Sequence, residues 1–251
     1  SGLMQPLTFG YHNAWGLDIS SDGRYVLMMT NRSRLTQRPT TLSTLYKLDV
    51  QTLQAETLVP EDGFLSGASF SPDGTQVLLT GSPECLDGIG LNLPEGLIPN
   101  QHDYQMYIMN LADKKITPMT KDFHPSVQQT VWNKMDGQIY FTAENRDYIS
   151  LYRMNPSNGK IQQLEAKEDL VKSISLADNA PVMAYYGQGA MNSDRLYTLD
   201  TKKGKTVLVE DLSKDILKGV ELGECHVWNF VSSREDTIYG RYYLPPHFDA
   251  S

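Results

Sequence analysis

Apolar residues in this chain come in short runs cut by turn-forming residues, and one alternating run recurs. Leu45-Tyr46-Lys47-Leu48-Asp49, Met106-Tyr107-Ile108-Met109-Asn110, Leu151-Tyr152-Arg153-Met154-Asn155 and Leu196-Tyr197-Thr198-Leu199-Asp200 set their tyrosines 61, 45 and 45 positions apart. Apolar and polar positions alternate in these pentads, the pattern of a half-buried β-strand. Ahead of each lies a mostly apolar run: 25–29, Val77-Leu78-Leu79, Ile139-Tyr140-Phe141 and 182–186, which predicts a second strand buried on both faces. A turn signal precedes each of these: Ser20-Ser21-Asp22-Gly23, Ser71-Pro72-Asp73-Gly74, Asn133-Lys134-Met135-Asp136-Gly137 and Ala177-Asp178-Asn179. In the fourth, Asn179 stands where the others have Gly, and both residues accept the positive φ of such a turn.

After each pentad a turn such as Pro156-Ser157-Asn158-Gly159 or Lys202-Lys203-Gly204 leads into a short closing strand. Each unit then reads as a meander of four antiparallel strands, and repeats of about 40 to 50 residues of this kind predict an all-β protein built from β-propeller blades. Blades are expected near 12–60, 64–121, 126–166 and 170–212, within a repeat region 1–226 that is followed by an exit strand and linker over 227–251. Four to five blades are too few to close a ring of ordinary diameter, so an incomplete, open propeller is expected, with exposed blade edges through which copies self-associate. Tyr and Met recurring at one strand position predict packing of blade on blade rather than binding.

Composition narrows the partners. A net charge of −8 and a pI near 5.1 oppose a nucleic-acid or anionic-membrane surface. No stretch reaches 18 consecutive apolar residues, so no membrane span is expected. The opening Ser1-Gly2 lacks the features of a secretion signal. Cys85 and Cys225, far apart and without metal-ligand spacing, read as two unpaired thiols, with a disulfide between them as the alternative.

Catalytic motifs are missing. No G-x-S-x-G occurs, and Gly67-Ala68-Ser69-Phe70-Ser71 and Thr80-Gly81-Ser82-Pro83 lack its second glycine. His12, His102, His124, His226 and His247 form no H-E-x-x-H, and no glycine-rich phosphate cradle is present. No catalytic residue, metal or cofactor is therefore expected in this chain. His102-Asp103, an adjacent base and acid, reads as a loop hydrogen bond, with a site role as the alternative.

Two insertions carry the candidate contacts. Residues 84–103 lengthen the second blade between its second and third strands, with enough Leu and Ile to pack. Loops of that length in compact domains are commonly functional. Asp87, Asn92, Glu95, Asn100 and Asp103 are its candidate substrate or domain contacts. Residues 31–39 of the first blade add Arg32 and Arg34, cations able to meet a carboxylate, against the plainer reading of a solvated loop.

The Ser-Pro-Asp-Gly strand pairs, the Leu-Tyr-x-Leu/Met-Asp/Asn strands and the segment from Val227 to Asp249, Val227-Trp228-Asn229-Phe230-Val231-Ser232-Ser233-Arg234 through Tyr242-Tyr243-Leu244-Pro245-Pro246, together resemble the prolyl oligopeptidase family of serine peptidases. The likeness is greatest to its dipeptidyl peptidase IV and acylaminoacyl peptidase branch. It implies a propeller that caps an α/β-hydrolase domain of the same polypeptide, gates access for short peptide substrates and leads into the hydrolase near a Leu-Pro segment. A periplasmic or secreted location is implied with it. The family's Ser, Asp and His match no residue here, and the adjacent glutamates with which dipeptidyl peptidases hold a free amino terminus have no counterpart. The rival expectation is a free-standing binding or scaffold propeller similar to TolB-type repeats, and a weaker third is a propeller lyase or a glycan-active enzyme.

Overall fold

A computed structural model describes residues 2, 4–94 and 96–249. Each repeat folds as a four-stranded antiparallel meander. The first comprises β1 (Asn13–Ile19), β2 (Tyr25–Ser33), β3 (Thr41–Asp49) and β4 (Ala55–Asp62), hydrogen-bonded in that order. The second comprises β5 (Leu65–Phe70), β6 (Gln76–Gly81), β7 (Gln105–Asn110) and β8 (Ile116–Pro118), with a single turn, α1 (Cys85–Gly88), inside the insertion between β6 and β7. The third comprises β9 (Ser126–Trp132), β10 (Ile139–Asn145), β11 (Tyr148–Met154) and β12 (Ile161–Leu164). The fourth comprises β13 (Leu170–Leu176), β14 (Val182–Gln188), β15 (Arg195–Asp200) and β16 (Thr206–Asp211), joined to the third by one parallel bridge between Ile149 and Leu170. A second short turn, α2 (Ser213–Ile216), leads to β17 (Glu224–Val231) and β18 (Thr237–Leu244), which among the described residues pair only with each other. The segment expected to leave as a single exit strand is thus a hairpin, and the Ser232 hydroxyl closes its turn by accepting the N–H groups of Arg234 and Asp236. The chain divides into two compact units, 1–127 and 128–251.

The end of each pentad explains why the meanders repeat. Asp49, Asn110, Asn155 and Asp200 each accept, through a side-chain oxygen, the N–H two residues on, at 2.8–3.0 Å. Each also accepts through its carbonyl the N–H four residues on, from Leu53, Lys114, Gly159 and Gly204. All four of those donors have positive φ, between 57° and 69°. An Asx turn closed on a left-handed residue reverses the chain with few unpaired polar groups, which is why the pentad ends in Asp or Asn.

The earlier turn follows a similar rule. Ser20 and Ser71 donate to Asp22 and Asp73 at 2.6 Å and accept the N–H of Tyr25 and Gln76, with Gly23 and Gly74 at positive φ. In the fourth meander the expectation fails. Asn179 is not left-handed; the turn closes from Ala177 N–H to the Val182 carbonyl, tightened by a bond from Val182 N–H to the Ala180 carbonyl. Pro181, with its fixed φ and absent N–H, replaces the left-handed residue as the source of the bend.

In the first unit the core joins Leu27, Met29 and Leu45 of the first meander to Val77, Leu79 and Tyr107 of the second. In the second unit Tyr140 and Leu151 pack with Val171, Ile174, Met183 and Tyr185. The repeated Tyr107, Tyr152 and Tyr197 are buried, as packing residues should be, and Tyr46 is half-buried. Val77-Leu78-Leu79 and Ile139-Tyr140-Phe141 are buried on both faces as expected. Val182 and Tyr186 of β14 are exposed and Val26 and Met28 of β2 half-buried, against that expectation; these strands belong to the first and last meanders, which have one sequence neighbour rather than two.

Side chains of the first strands bolt neighbouring meanders together. Asp18 accepts the Phe70 N–H at 2.8 Å. Gln129 accepts the Ile174 N–H at 2.8 Å and donates to the Ile174 carbonyl at 3.0 Å.

Candidate functional site

The two ends of each meander differ. One end holds the repeated, internally satisfied turns. The opposite end holds the second-to-third-strand connections 34–40, 82–104, 146–147 and 189–194, whose lengths do not repeat, together with the links between meanders. Loops freed from a repeat's constraints are where a scaffold carries recognition. Two acid pairs organise this end, Glu61-Asp62 ahead of β5 and Glu168-Asp169 ahead of β13.

In the first unit, Arg32 donates through Nε and Nη2 to the two oxygens of Glu61 at 2.8 and 2.9 Å, a bidentate pair about half open to solvent. Arg34 Nε donates to the Pro39 carbonyl at 3.1 Å and so braces its own loop. Asp62 accepts three backbone N–H groups: those of Phe64 and Leu65 at 2.7 and 2.9 Å, and that of Leu86 at 2.7 Å. The last bond pins α1, where Leu86 and Asp87 take left-handed backbone angles. Cys85 and Leu86 are buried here, and burial pushes the Cys85 thiol up to about 12. The Tyr107 hydroxyl donates to the Ser82 carbonyl at 3.0 Å. A Cβ at Gly90 would lie 2.2 Å from that hydroxyl oxygen, so the insertion passes this point only without a side chain.

Beyond Gly90 the insertion leaves the core. Leu91, Leu93, Leu97 and Ile98 are exposed, Ile98 at 90%. Of the Leu and Ile residues expected to pack the insertion, those at the base do so, because the base reaches Asp62 and Tyr107. Asp87 is exposed; Asn92 Nδ2 donates to the Lys121 carbonyl at 2.5 Å; Asn100 Oδ1 accepts the His102 N–H at 3.0 Å. Burial raises the Asp103 carboxyl above its ordinary range, with His124 opposing. Glu95 lies outside the described residues. Among the described residues no side-chain hydrogen bond or ion pair links any two of these candidates, nor the His102 ring to the Asp103 carboxylate.

The second unit carries a denser arrangement. The Glu168 carboxylate, 2% exposed, accepts the Tyr197 hydroxyl at 2.6 Å and Asn192 Nδ2 at 2.9 Å, tying the β14–β15 loop to the link before β13. Burial first, and this bond second, push the Tyr197 phenol up to about 12. Arg195 lies 3.7 Å from Glu168 and donates Nε to Asp211 at 2.9 Å. Arg241, on β18, donates Nε to Asp147 at 2.7 Å and Nη1 to Asp169, with its guanidinium 4.8 Å over the Tyr148 ring. Burial alone would lower the Arg241 pKa, but its bonds to Asp169 and Asp147 outweigh that and hold it above the ordinary value. Beside it, Arg146 stands at φ +62° with its guanidinium 3.9 Å over the Tyr239 ring. A cleft of about 460 Å³ opens here, lined by Asn145, Arg146, Asp147, Gln163, Asn229 and Tyr239 among others.

Asp62, Glu168, Asp169, Arg146 and Arg241 did not stand out in the sequence. One signal was available for three of them: a Glu-Asp pair occurs twice at the same place in the repeat, just before a first strand. Both cysteines are free thiols, and among the described residues no group of three or more His, Cys, Asp or Glu side chains is placed to hold a metal ion.

Meanders of this form, with regular turns at one end and variable loops at the other, define a β-propeller-type repeat protein. No known family model matches the sequence, and no curated protein sequence matches it. Solved structures do. TolB from Acinetobacter baumannii is 17% identical with a TM-score of 0.57 over 90% of this chain, and acylaminoacyl peptidase from Pyrococcus horikoshii is 18% identical with 0.66 over 94%. Puromycin hydrolase in complex with PGG is 14% identical with 0.70 over 98%. The chain spans 51%, 33% and 36% of the lengths of those three proteins. At such identities the likeness establishes the fold.

Proposed function

We propose that this chain is the non-catalytic propeller portion of a serine peptidase of the prolyl oligopeptidase type, gating and helping to bind short peptides for an α/β-hydrolase domain in the same polypeptide. The hairpin β17–β18 carries this reading. Both its outer edges are unpaired, and Val227, Trp228, Phe230 and Val231 on one strand and Ile238, Tyr239, Tyr242 and Tyr243 on the other are exposed. A two-stranded ribbon with so much apolar surface is marginal alone and is expected to be taken into a larger sheet. A hydrolase sheet continuing from this hairpin would supply it. The fold likeness to two hydrolytic enzymes over 94% and 98% of the chain supports the same reading.

Within this reading the insertion contacts substrate or hydrolase through exposed Asp87 at its base, Asn92 and Asn100 beyond Gly90 and half-buried Asp103 at its end, while Arg32 and Arg34 hold the neighbouring loop. The test has two parts. The coding sequence past Ser251 should contain a G-x-S-x-G followed by Asp and His, and chain 1–251 alone should not turn over dipeptide or acyl-peptide chromogenic substrates. Turnover by the isolated chain would overthrow the assignment. The fold likeness to TolB favours a second reading, a free-standing binding module, and a stop codon directly after Ser251 would decide for it.

A further inference from the structure

The cleft between the β10–β11 turn and the hairpin holds a cation that the fold leaves uncompensated. Two guanidinium groups and two carboxylates meet there, but Arg241 takes both carboxylates, Asp147 through Nε and Asp169 through Nη1. Arg146 is left over. Among the described residues no carboxylate lies within ion-pair distance of it, and its contact is with the face of Tyr239, 3.9 Å from the ring centroid. Stacking uses the face of a guanidinium and leaves its in-plane N–H donors free, the geometry that grips a carboxylate with two parallel bonds.

The backbone supports a purpose for this residue. The turn between β10 and β11 is only two residues long, and Arg146 occupies it at φ +62°. That conformation strains a residue with a Cβ and is free to glycine, and non-glycine residues held in it gather at functional sites. Asn145, Gln163 and Asn229, whose amides can both donate to and accept from a peptide backbone, line the same cleft. Asp147 also lines the cleft, but its charge is met by Arg241.

We propose that this cleft binds the C-terminal carboxylate of a short peptide, with Arg146 as the charged clamp, Tyr239 as its backing and the amides as backbone contacts. The peptide nature of the ligand rests on the function proposed above; the carboxylate site does not. Calorimetry on the full chain, at low salt, with Ala-Ala and with its C-terminal amide checks it. The free acid should bind about tenfold or more tightly than the amide, and added salt should weaken it. Arg146→Gly relieves the left-handed position, so the variant should fold with an unchanged or higher melting temperature and yet lose the preference for the acid. Arg146→Lys should keep part of that preference.

Equal binding of acid and amide, a preference that survives Arg146→Gly, or no measurable binding by a folded wild-type chain would each overturn the proposal. Tighter binding of galacturonic acid than of Ala-Ala would overturn its peptide half. None of these outcomes touches the peptidase reading, which stands or falls on the downstream sequence and on turnover.

Discussion

Leu53 and Lys114 occupy, in the first two meanders, the left-handed turn position that Gly159 and Gly204 occupy in the other two. The same hydrogen bonds close all four turns, so the side chains are the difference between them. Leu53→Gly should stabilise the chain by roughly 0.5–1 kcal/mol, the Cβ strain relieved less the entropy of a freer unfolded chain. Urea titration measures it, and a loss of stability would show that the Leu53 side chain contributes packing that outweighs its backbone strain. Cys85 offers a pH-dependent test. Its thiol rises from an ordinary value of 9.0 to about 12 through burial. The folded state therefore holds the proton more tightly, and this contribution is complete below pH 9 and is lost as pH climbs toward 12. Stability should fall across that window, and Cys85→Ala should flatten the fall. The pentad's Asp or Asn was visible in the sequence, yet its reason, an Asx turn, appears only when the N–H two residues on is seen to point at it. Asn179 shows the converse: a turn residue of the right type, one that the backbone does not use as such.

At the scale of elements, strands were legible because a half-buried strand writes a period of two into its own residues. Connections were not, since what holds them lies far away in sequence. The insertion is anchored by Asp62, 24 positions before Leu86, through a bond that no local pattern announces. Asp62→Ala strips three N–H groups of their acceptor and should cost about 2–3 kcal/mol. Amide exchange should then quicken over residues 82–92 while β10 and β11 keep their protection. Unchanged exchange in the insertion would mean that the burial of Cys85 and Leu86 holds it without Asp62. The hairpin β17–β18 was equally obscure, because a strand apolar on both faces reads the same whether it ends a domain or begins another sheet.

Exposed apolar surface lies on the insertion in the first unit and in the second on the hairpin and on β16, where Val207, Leu208 and Val209 are about half exposed along an unpaired edge. The isolated chain should therefore self-associate, with a sedimentation coefficient that rises with concentration. Replacing Trp228 and Phe230 with Ser should reduce this without loss of β-sheet circular dichroism, and a strictly monomeric wild-type chain at high concentration would count against it. By itself the sequence determined the meanders, their turns other than the one at Asn179, and the burial of three of the four repeated tyrosines, because alternation and turn chemistry act between residues at most a few positions apart. Only the tertiary structure decided which carboxylate meets which cation. Arg241 reaches 94 residues back to Asp147 and 72 back to Asp169, and so leaves Arg146 as the spare charge in the cleft. Charges are paired by distance in space, and a one-dimensional pattern carries no record of that distance.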